Sequence, residues 1–337
     1  MKRKLSLNGI KYIEEDGTIH ISKNIESIDD LIHLGSMYRP YKKYNIDLKR
    51  INNIVNPLKR LKNMIGLDGI KHTLINQIVY FLQDFHEEEM LHTVIQGPPG
   101  VGKTMLARII GDIYHKLNIF SQEDSDECKF IIARRSDLIG EYLGTTAKKT
   151  QHVINSCRGG VLLIDEAYSL GNSEGRDSYS KECIDTLNQN LSENKNNFMC
   201  IIAGYKEALE KNFFNYNQGL TRRFPFVYTL SDYNSKELTA ILCYIFEREN
   251  WNCNDKNGKI HSLIDKNFKE FNNMAGDMET LALITKLEHS KRVLFLHKSL
   301  KKNITCEDVE KGIDKFLLQK KTKHSENETM VMSHMYM

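Results

Sequence analysis

Residues 94–110 read "VIQGPPGVGKTMLARII": an apolar run, then Gly97, Gly100 and Gly102, then Lys103 and Thr104 at the head of a segment with helical apolar spacing. G-x-x-x-x-G-K-T between a strand and a helix is the P-loop pattern in its required setting. The glycines let main-chain N–H groups surround phosphates and the helix N-terminus adds positive potential, while Lys103 reaches the β- and γ-phosphates and Thr104 holds Mg2+. Gly97, Pro98, Pro99, Gly100, Val101, Gly102, Lys103, Thr104 and Met105 form the expected nucleotide-binding set.

Outward from this loop, short β-branched and apolar runs recur from Leu91 to about Leu230: "LHTVIQ", "KFIIARR", "GVLLID", "FMCIIAGY" and "FPFVYTL". Segments with helical periodicity, such as "KTMLARIIGDIYHKL" and "SKECIDTLNQNL", separate them. Strands alternating with helices predict an α/β fold with a parallel sheet covered on both faces. The third run ends in a second chemical signal, "GGVLLIDEAYSL" at 159–170. Asp165 and Glu166 close a buried strand at its carboxyl end, where open α/β sheets bind ligands. An acidic pair there is commonly a solvated strand end; downstream of a P-loop it completes a Mg-ATP site. Asp165 then holds Mg2+ through water, and Glu166 orients and deprotonates the attacking water. No N-K-x-D guanine reader occurs in the chain, which favours ATP over GTP.

The flanks read differently. Leu5–Ser22, "LSLNGIKYIEEDGTIHIS", alternates around Asp16-Gly17 and predicts a small β-hairpin. Residues 27–63 hold two helical pieces, the second interrupted at Pro57, where a helix must start, kink or stop. After Leu230 the strand signal ends and three helical segments follow, "NSKELTAILCYIFEREN", "METLALITKLEHSKRVLFLH" and "TCEDVEKGIDKFLLQKK". The expected organisation is an N-terminal extension (1–60), an α/β ATP-binding domain (61–231), a small all-α domain (232–320) and a tail without regular structure (321–337).

Composition excludes little. Lys+Arg 47 against Asp+Glu 44 leaves +3 over 337 residues, too little to point to nucleic acid or an anionic membrane as main partner. Seven cysteines (Cys128, Cys157, Cys183, Cys200, Cys243, Cys253 and Cys306) are scattered without C-x-x-C spacing and read as reduced thiols. No apolar run is long enough to span a membrane and the basic start lacks a signal-peptide core, so a soluble cytoplasmic protein is expected.

Taken with these motifs, the chain resembles the AAA+ ATPases, and within them the CbxX/CfxQ-like branch that includes the CbbX-type Rubisco activases and stage V sporulation protein K. The likeness runs from about Asn63 to Tyr233 in "MIGLDGIK", "GPPGVGKT", "RRSDLIGEYLGTTAKKT", "GGVLLIDEAYSL", "IIAGYKEAL" and "NQGLTRRF", in the family's order. The resemblance implies a P-loop α/β module followed by a helical lid. It further implies a homo-hexameric ring with Arg223, or its neighbour Arg222, as the arginine finger that reaches the neighbour's γ-phosphate. Ile65 and Gly66 match the segment that lies against adenine. Tyr142 matches the pore-loop aromatic that grips a polypeptide client, with Gly140 and Gly144 as flexible flanks.

Two positions depart from the wider superfamily. The fourth strand ends in Tyr205, as in this branch, where AAA+ proteins in general carry a polar γ-phosphate sensor. Glu279 in "AGDMETLALITK" stands where the lid arginine is expected, with Lys286 one candidate replacement. The leading expectation is a protein-remodelling ATPase using ATP and Mg2+. A nucleic-acid-dependent AAA+ motor or clamp loader stands as one alternative, though Glu141 beside Tyr142 disfavours it; a slow-turnover nucleotide-gated scaffold is the other. A Rubisco role is not implied.

Overall fold

The computed structural model describes the chain except for residues 1–2, 8–9, 86–88, 121–129, 143, 172–176, 218, 254, 256, 299–300 and 336–337. Side chains of 3–7, 10–12 and 323–335 are likewise outside the description. Two compact units emerge, one of Met1–Pro98 with Gly102–Leu230, the other of Ser231–Met337 with Pro99–Val101.

In the first unit, β1 (Arg3–Leu7), β2 (Ile10–Glu15) and β3 (Thr18–Ser22) form an antiparallel meander. The expected hairpin is its β2–β3 half, turning on Asp16 and Gly17, whose φ values of 50° and 75° suit a type I′ turn. Helix α1 (Ile28–Ser36) starts at a capping box between Ser27 and Asp30. Strand β4 (Lys43–Tyr44) then pairs parallel with β3, so the hairpin belongs to a four-stranded sheet. Long-range pairing of a two-residue strand leaves no local period to read. Helix α2 (Leu48–Asn53) is followed by α3 (Val55–Asn63), whose first turn holds Pro57, the place a helix tolerates proline. Ile21, Leu34, Leu48 and Ile51 close a small core beneath this sheet. Helix α4 (Asp68–Leu82) leads to the main sheet.

That sheet is parallel and five-stranded: β5 (Thr93–Gln96), β6 (Phe130–Ala133), β7 (Val161–Ile164), β8 (Met199–Gly204) and β9 (Phe226–Thr229), in the order β6-β7-β8-β5-β9. Every expected run supplies one strand. The three inner strands are buried at every residue, while edge strands β6 and β9 are only partly buried. Burying one Ile, Leu or Val is worth about 1.5–3 kcal/mol, so burial of these runs on both faces fixes which strands lie inside. Helices α5 (Lys103–Lys116), α6 (Arg135–Leu138), α7 (Thr146–Ser156), α8 (Ser178–Glu193), α9 (Lys206–Asn212) and α10 (Leu220–Arg223) connect them.

The second unit is helical: α11 (Ser235–Arg248), α12 (Lys259–Lys266), α13 (Ala275–Val293) and α14 (Cys306–Met335). Two-residue strands β10 (Asn252–Cys253) and β11 (Asn303–Ile304) pair in parallel between them. Helix α12 and these strands add to the three expected helices; eight residues and two residues are too short to show a clear period. Within this unit His289 is buried against Asp308, whose carboxylate also accepts from Arg292 and Thr305. Burial pushes Asp308 up, but these hydrogen bonds outweigh it and hold the carboxyl well below its ordinary range.

The backbone stays helical to Met335, where a tail without regular structure is expected from 321; residues 336–337 lie outside the description. After Gly312 the chain contains neither proline nor glycine, so nothing local stops α14. The six described cysteines are free, and Cys128 lies outside the described residues. No helix among the described residues is long and apolar enough to cross a membrane.

Candidate functional site

The strand order decides where the chemistry collects. P-loop residues leave the carboxyl end of β5 and the acidic pair leaves β7, while β8 lies between them and is followed directly by Tyr205. Three sequence-distant groups therefore meet along one sheet edge.

Gly102 enters α5 with φ 88°, a left-handed conformation that suits glycine. A Cβ on Gly97 would collide with the Leu230 carbonyl, so close backbone approach excludes a side chain. Lys103 Nζ donates to the carbonyls of Gly97 (2.9 Å) and Pro98 (2.6 Å). It also lies 4.8 Å from the ring centroid of Tyr205. Burial lowers the Lys103 pKa from its ordinary value, against the opposing pull of the Asp165 and Glu166 carboxylates.

Thr104 Oγ1 donates to Asp165 Oδ2 at 2.8 Å, which joins the P-loop helix to the end of β7. Glu166 is exposed and its backbone is left-handed, with φ 52° and ψ 43°, opening a 3-10 turn over Ala167–Leu170. A non-glycine residue held there costs on the order of 1–2 kcal/mol, strain that gathers at functional sites. The turn also brings in Tyr168, absent from the expected site, whose ring stacks on Tyr205 at 5.4 Å and 27°.

The pairing of a hydroxyl with a carboxylate suits a hard cation. Among the described residues no cluster of three His, Cys, Asp or Glu ligands occurs.

The family described as "ATPase family associated with various cellular activities (AAA)" matches residues 93–229. A cfxQ-like protein of Acanthamoeba polyphaga mimivirus is 39% identical over 302 residues, 88% of this chain and 73% of that protein. The chain belongs to the CfxQ-like AAA ATPases. Stage V sporulation protein K of Bacillus subtilis is 35% identical over 54% of this chain and 57% of its own length. CbbX of Cereibacter sphaeroides is 34% identical, over 56% and 62% respectively. Among solved structures, the FIGL-1 AAA domain in complex with ADP superposes with a TM-score of 0.55 at 18% identity, covering 74% of this chain and 82% of that one. That likeness is one of fold, and the expected P-loop α/β architecture with a helical C-terminal region is borne out. As a CfxQ-like AAA ATPase the chain binds nucleotide and hydrolyses ATP.

The remaining expected residues of this AAA ATPase fall as follows. Ile65 and Gly66 sit on the turn between α3 and α4, Gly66 with φ 68°. Pro98 is half-buried, Pro99 and Gly100 are exposed, Val101 is buried, and Met105 is exposed on α5. Arg222 and Arg223 end α10. Arg223 is half-buried, donating from Nε to Ser192 Oγ (2.6 Å) and from Nη1 to the Gly219 carbonyl (2.7 Å), whereas Arg222 is exposed.

Tyr142 is 72% exposed on the connection between α6 and α7. The expectation of flexible glycine flanks does not hold at Gly140. A Cβ there would collide with the Thr145 hydroxyl, and its N–H donates to Thr146 Oγ1 at 3.1 Å. Gly144 supplies a left-handed turn, φ 79°. Thr145 Oγ1 donates to the Tyr142 carbonyl at 2.7 Å and accepts from the Tyr142 N–H at 3.3 Å, so the loop is pinned at its base. In the second unit Glu279 is exposed on α13, and Lys286 is committed to Glu249 at 2.6 Å, which removes it as a free replacement for the lid arginine.

Proposed function

We propose that this ATPase remodels a protein client as a homo-hexamer, converting hydrolysis at the Lys103–Glu166 edge into movement of Tyr142. Glu166 is the general base, Lys103 binds the β- and γ-phosphates, and Arg223 or Arg222 enters the neighbouring subunit's site. Thr104 and Asp165 would hold Mg2+, which offsets phosphate charge when bound. The observation behind the protein-client reading is the large, exposed ring of Tyr142 on a pinned loop, with an acidic neighbour, Glu141, that repels a nucleic-acid backbone. An amphipathic aromatic ring grips many polypeptide sequences without reading any.

The test is ATP turnover with added unfolded polypeptide or single-stranded DNA at two salt concentrations. Polypeptide should stimulate turnover, Tyr142→Ala should remove the stimulation, and Glu166→Gln should stop hydrolysis while nucleotide stays bound. Stimulation by DNA that falls with salt would instead favour a nucleic-acid motor. The Lys286–Glu249 pair favours a second reading, a scaffold with slow turnover, for which kcat would stay low with either additive.

A further inference from the structure

The Lys103 ammonium is held by three groups. It donates to the Gly97 and Pro98 carbonyls, and the ring of Tyr205 lies beside it with its centroid 4.8 Å away. That is inside the roughly 6 Å over which the negative face of an aromatic ring attracts a cation. A lysine carries its charge as a point on a flexible four-carbon stem, so the head group stays in one place only if its surroundings keep it there. The two carbonyls belong to the phosphate loop itself; the ring comes from the end of a different strand, β8.

That ring is itself fixed. It stacks on Tyr168, centroids 5.4 Å apart and planes at 27°, and a Cβ on Gly204 would come 2.9 Å from Tyr168 Cδ1, so glycine at the end of β8 lets the two rings meet. Tyr168 stands on the 3-10 turn between Ala167 and Leu170, both buried. Arg135 clamps this turn from outside: its Nη1 donates to the Ser169 carbonyl (2.7 Å) and the Leu170 carbonyl (3.1 Å), and its Nη2 to Asp177 Oδ2 (2.7 Å). A continuous line of contacts thus runs from the clamped turn through two aromatic rings to the P-loop lysine.

We propose that the stacked pair Tyr205 and Tyr168 is a positioning platform for Lys103: the face of Tyr205 holds the ammonium where it meets the β- and γ-phosphates, and Tyr168 holds Tyr205. This rests on Lys103 being the phosphate-binding lysine. The attraction comes from the ring face and not from the phenol hydroxyl, so phenylalanine can replace either tyrosine and an aliphatic side chain cannot. The platform acts on nucleotide binding before any chemistry, because a lysine already in place loses less freedom when the triphosphate arrives.

Calorimetric titration of the full chain with the slowly hydrolysed analogue ATPγS and Mg2+ tests this. Tyr205→Leu should weaken binding about fivefold and Tyr168→Ala about threefold, while Tyr205→Phe and Tyr168→Phe should recover most of each loss. The deciding series replaces Tyr205 with phenylalanine carrying none, one, two or three ring fluorines. Fluorine draws electron density from the ring face and leaves the ring's size almost unchanged, so affinity should fall stepwise, about fivefold across the series. A flat series overturns the platform even if Tyr205→Leu binds poorly, because the ring would then matter only as packing. Lys103→Met separates the two layers of the reading. If it weakens ATPγS while the fluorine series is flat, the platform falls and the lysine's role stands; if Lys103→Met binds ATPγS as the wild type does, both fall together.

Discussion

His92, just ahead of β5, shows how much one buried side chain can govern. Its ring is fully buried against Phe198 and Phe224; Nδ1 accepts from the Cys200 N–H at 3.1 Å and Nε2 faces the Leu191 carbonyl at 3.0 Å. An Nδ1 that accepts must be unprotonated, so the native ring is neutral with its proton on Nε2. Burial lowers its pKa to about 4, only partly opposed by the bond to Leu191. In the unfolded chain the ring titrates near 6.5, so between pH 6.5 and 4 the unfolded state binds a proton that the native state refuses. Stability should therefore be fully present above pH 6.5 and fall by on the order of 3 kcal/mol as pH drops to 4. Urea midpoints across that window measure the slope. His92→Gln should be less stable at neutral pH but flatter below it, and an unchanged slope would show that His92 is not the group responsible.

Among elements, the connection between α6 and α7 behaves differently from its sequence. Two glycines around an aromatic read as a hinge, yet Thr145 bonds the Tyr142 main chain on both sides and Gly140 is there because the chain passes too close for a Cβ. Thr145→Val keeps the shape of the side chain and deletes both hydrogen bonds, worth about 0.5–1.5 kcal/mol each. Amide hydrogen exchange over 140–146 should accelerate by roughly tenfold while exchange in β5, β7 and β8 stays as it was; unchanged loop exchange would mean the hydroxyl does not pin it. The five sheet strands and the long helices of the α/β domain were legible because each carries its own period and its own stop signals. The pinning was not, because a threonine hydroxyl three residues from its partner leaves no mark in hydrophobic patterning.

At the scale of the whole molecule, the proposed assembly makes part of each site come from a neighbour. Turnover per subunit should then rise with protein concentration as subunits associate. Arg222→Ala and Arg223→Ala part the two candidates. Arg223 also ties α10 to Ser192 and Gly219 within its own subunit, so its loss should lower the thermal midpoint as well, while loss of exposed Arg222 should leave the midpoint in place. The finger is whichever variant lowers kcat by several powers of ten in the assembled protein. Concentration-independent turnover would mean that the site is complete in a lone subunit.

The P-loop, the acidic pair and the alternation of strands with helices were set by the sequence alone, because each is a local pattern: glycine spacing, a charge step at the end of an apolar run, a period of two or 3.6. Which of those pieces touch was decided only in three dimensions. Strand β8 comes to lie between β5 and β7, so Tyr205 stands between Lys103 and the acidic pair and Tyr168 gains a surface to rest on. Strand order follows from how buried faces pack against helices across the whole unit, a global sum that no window of sequence contains.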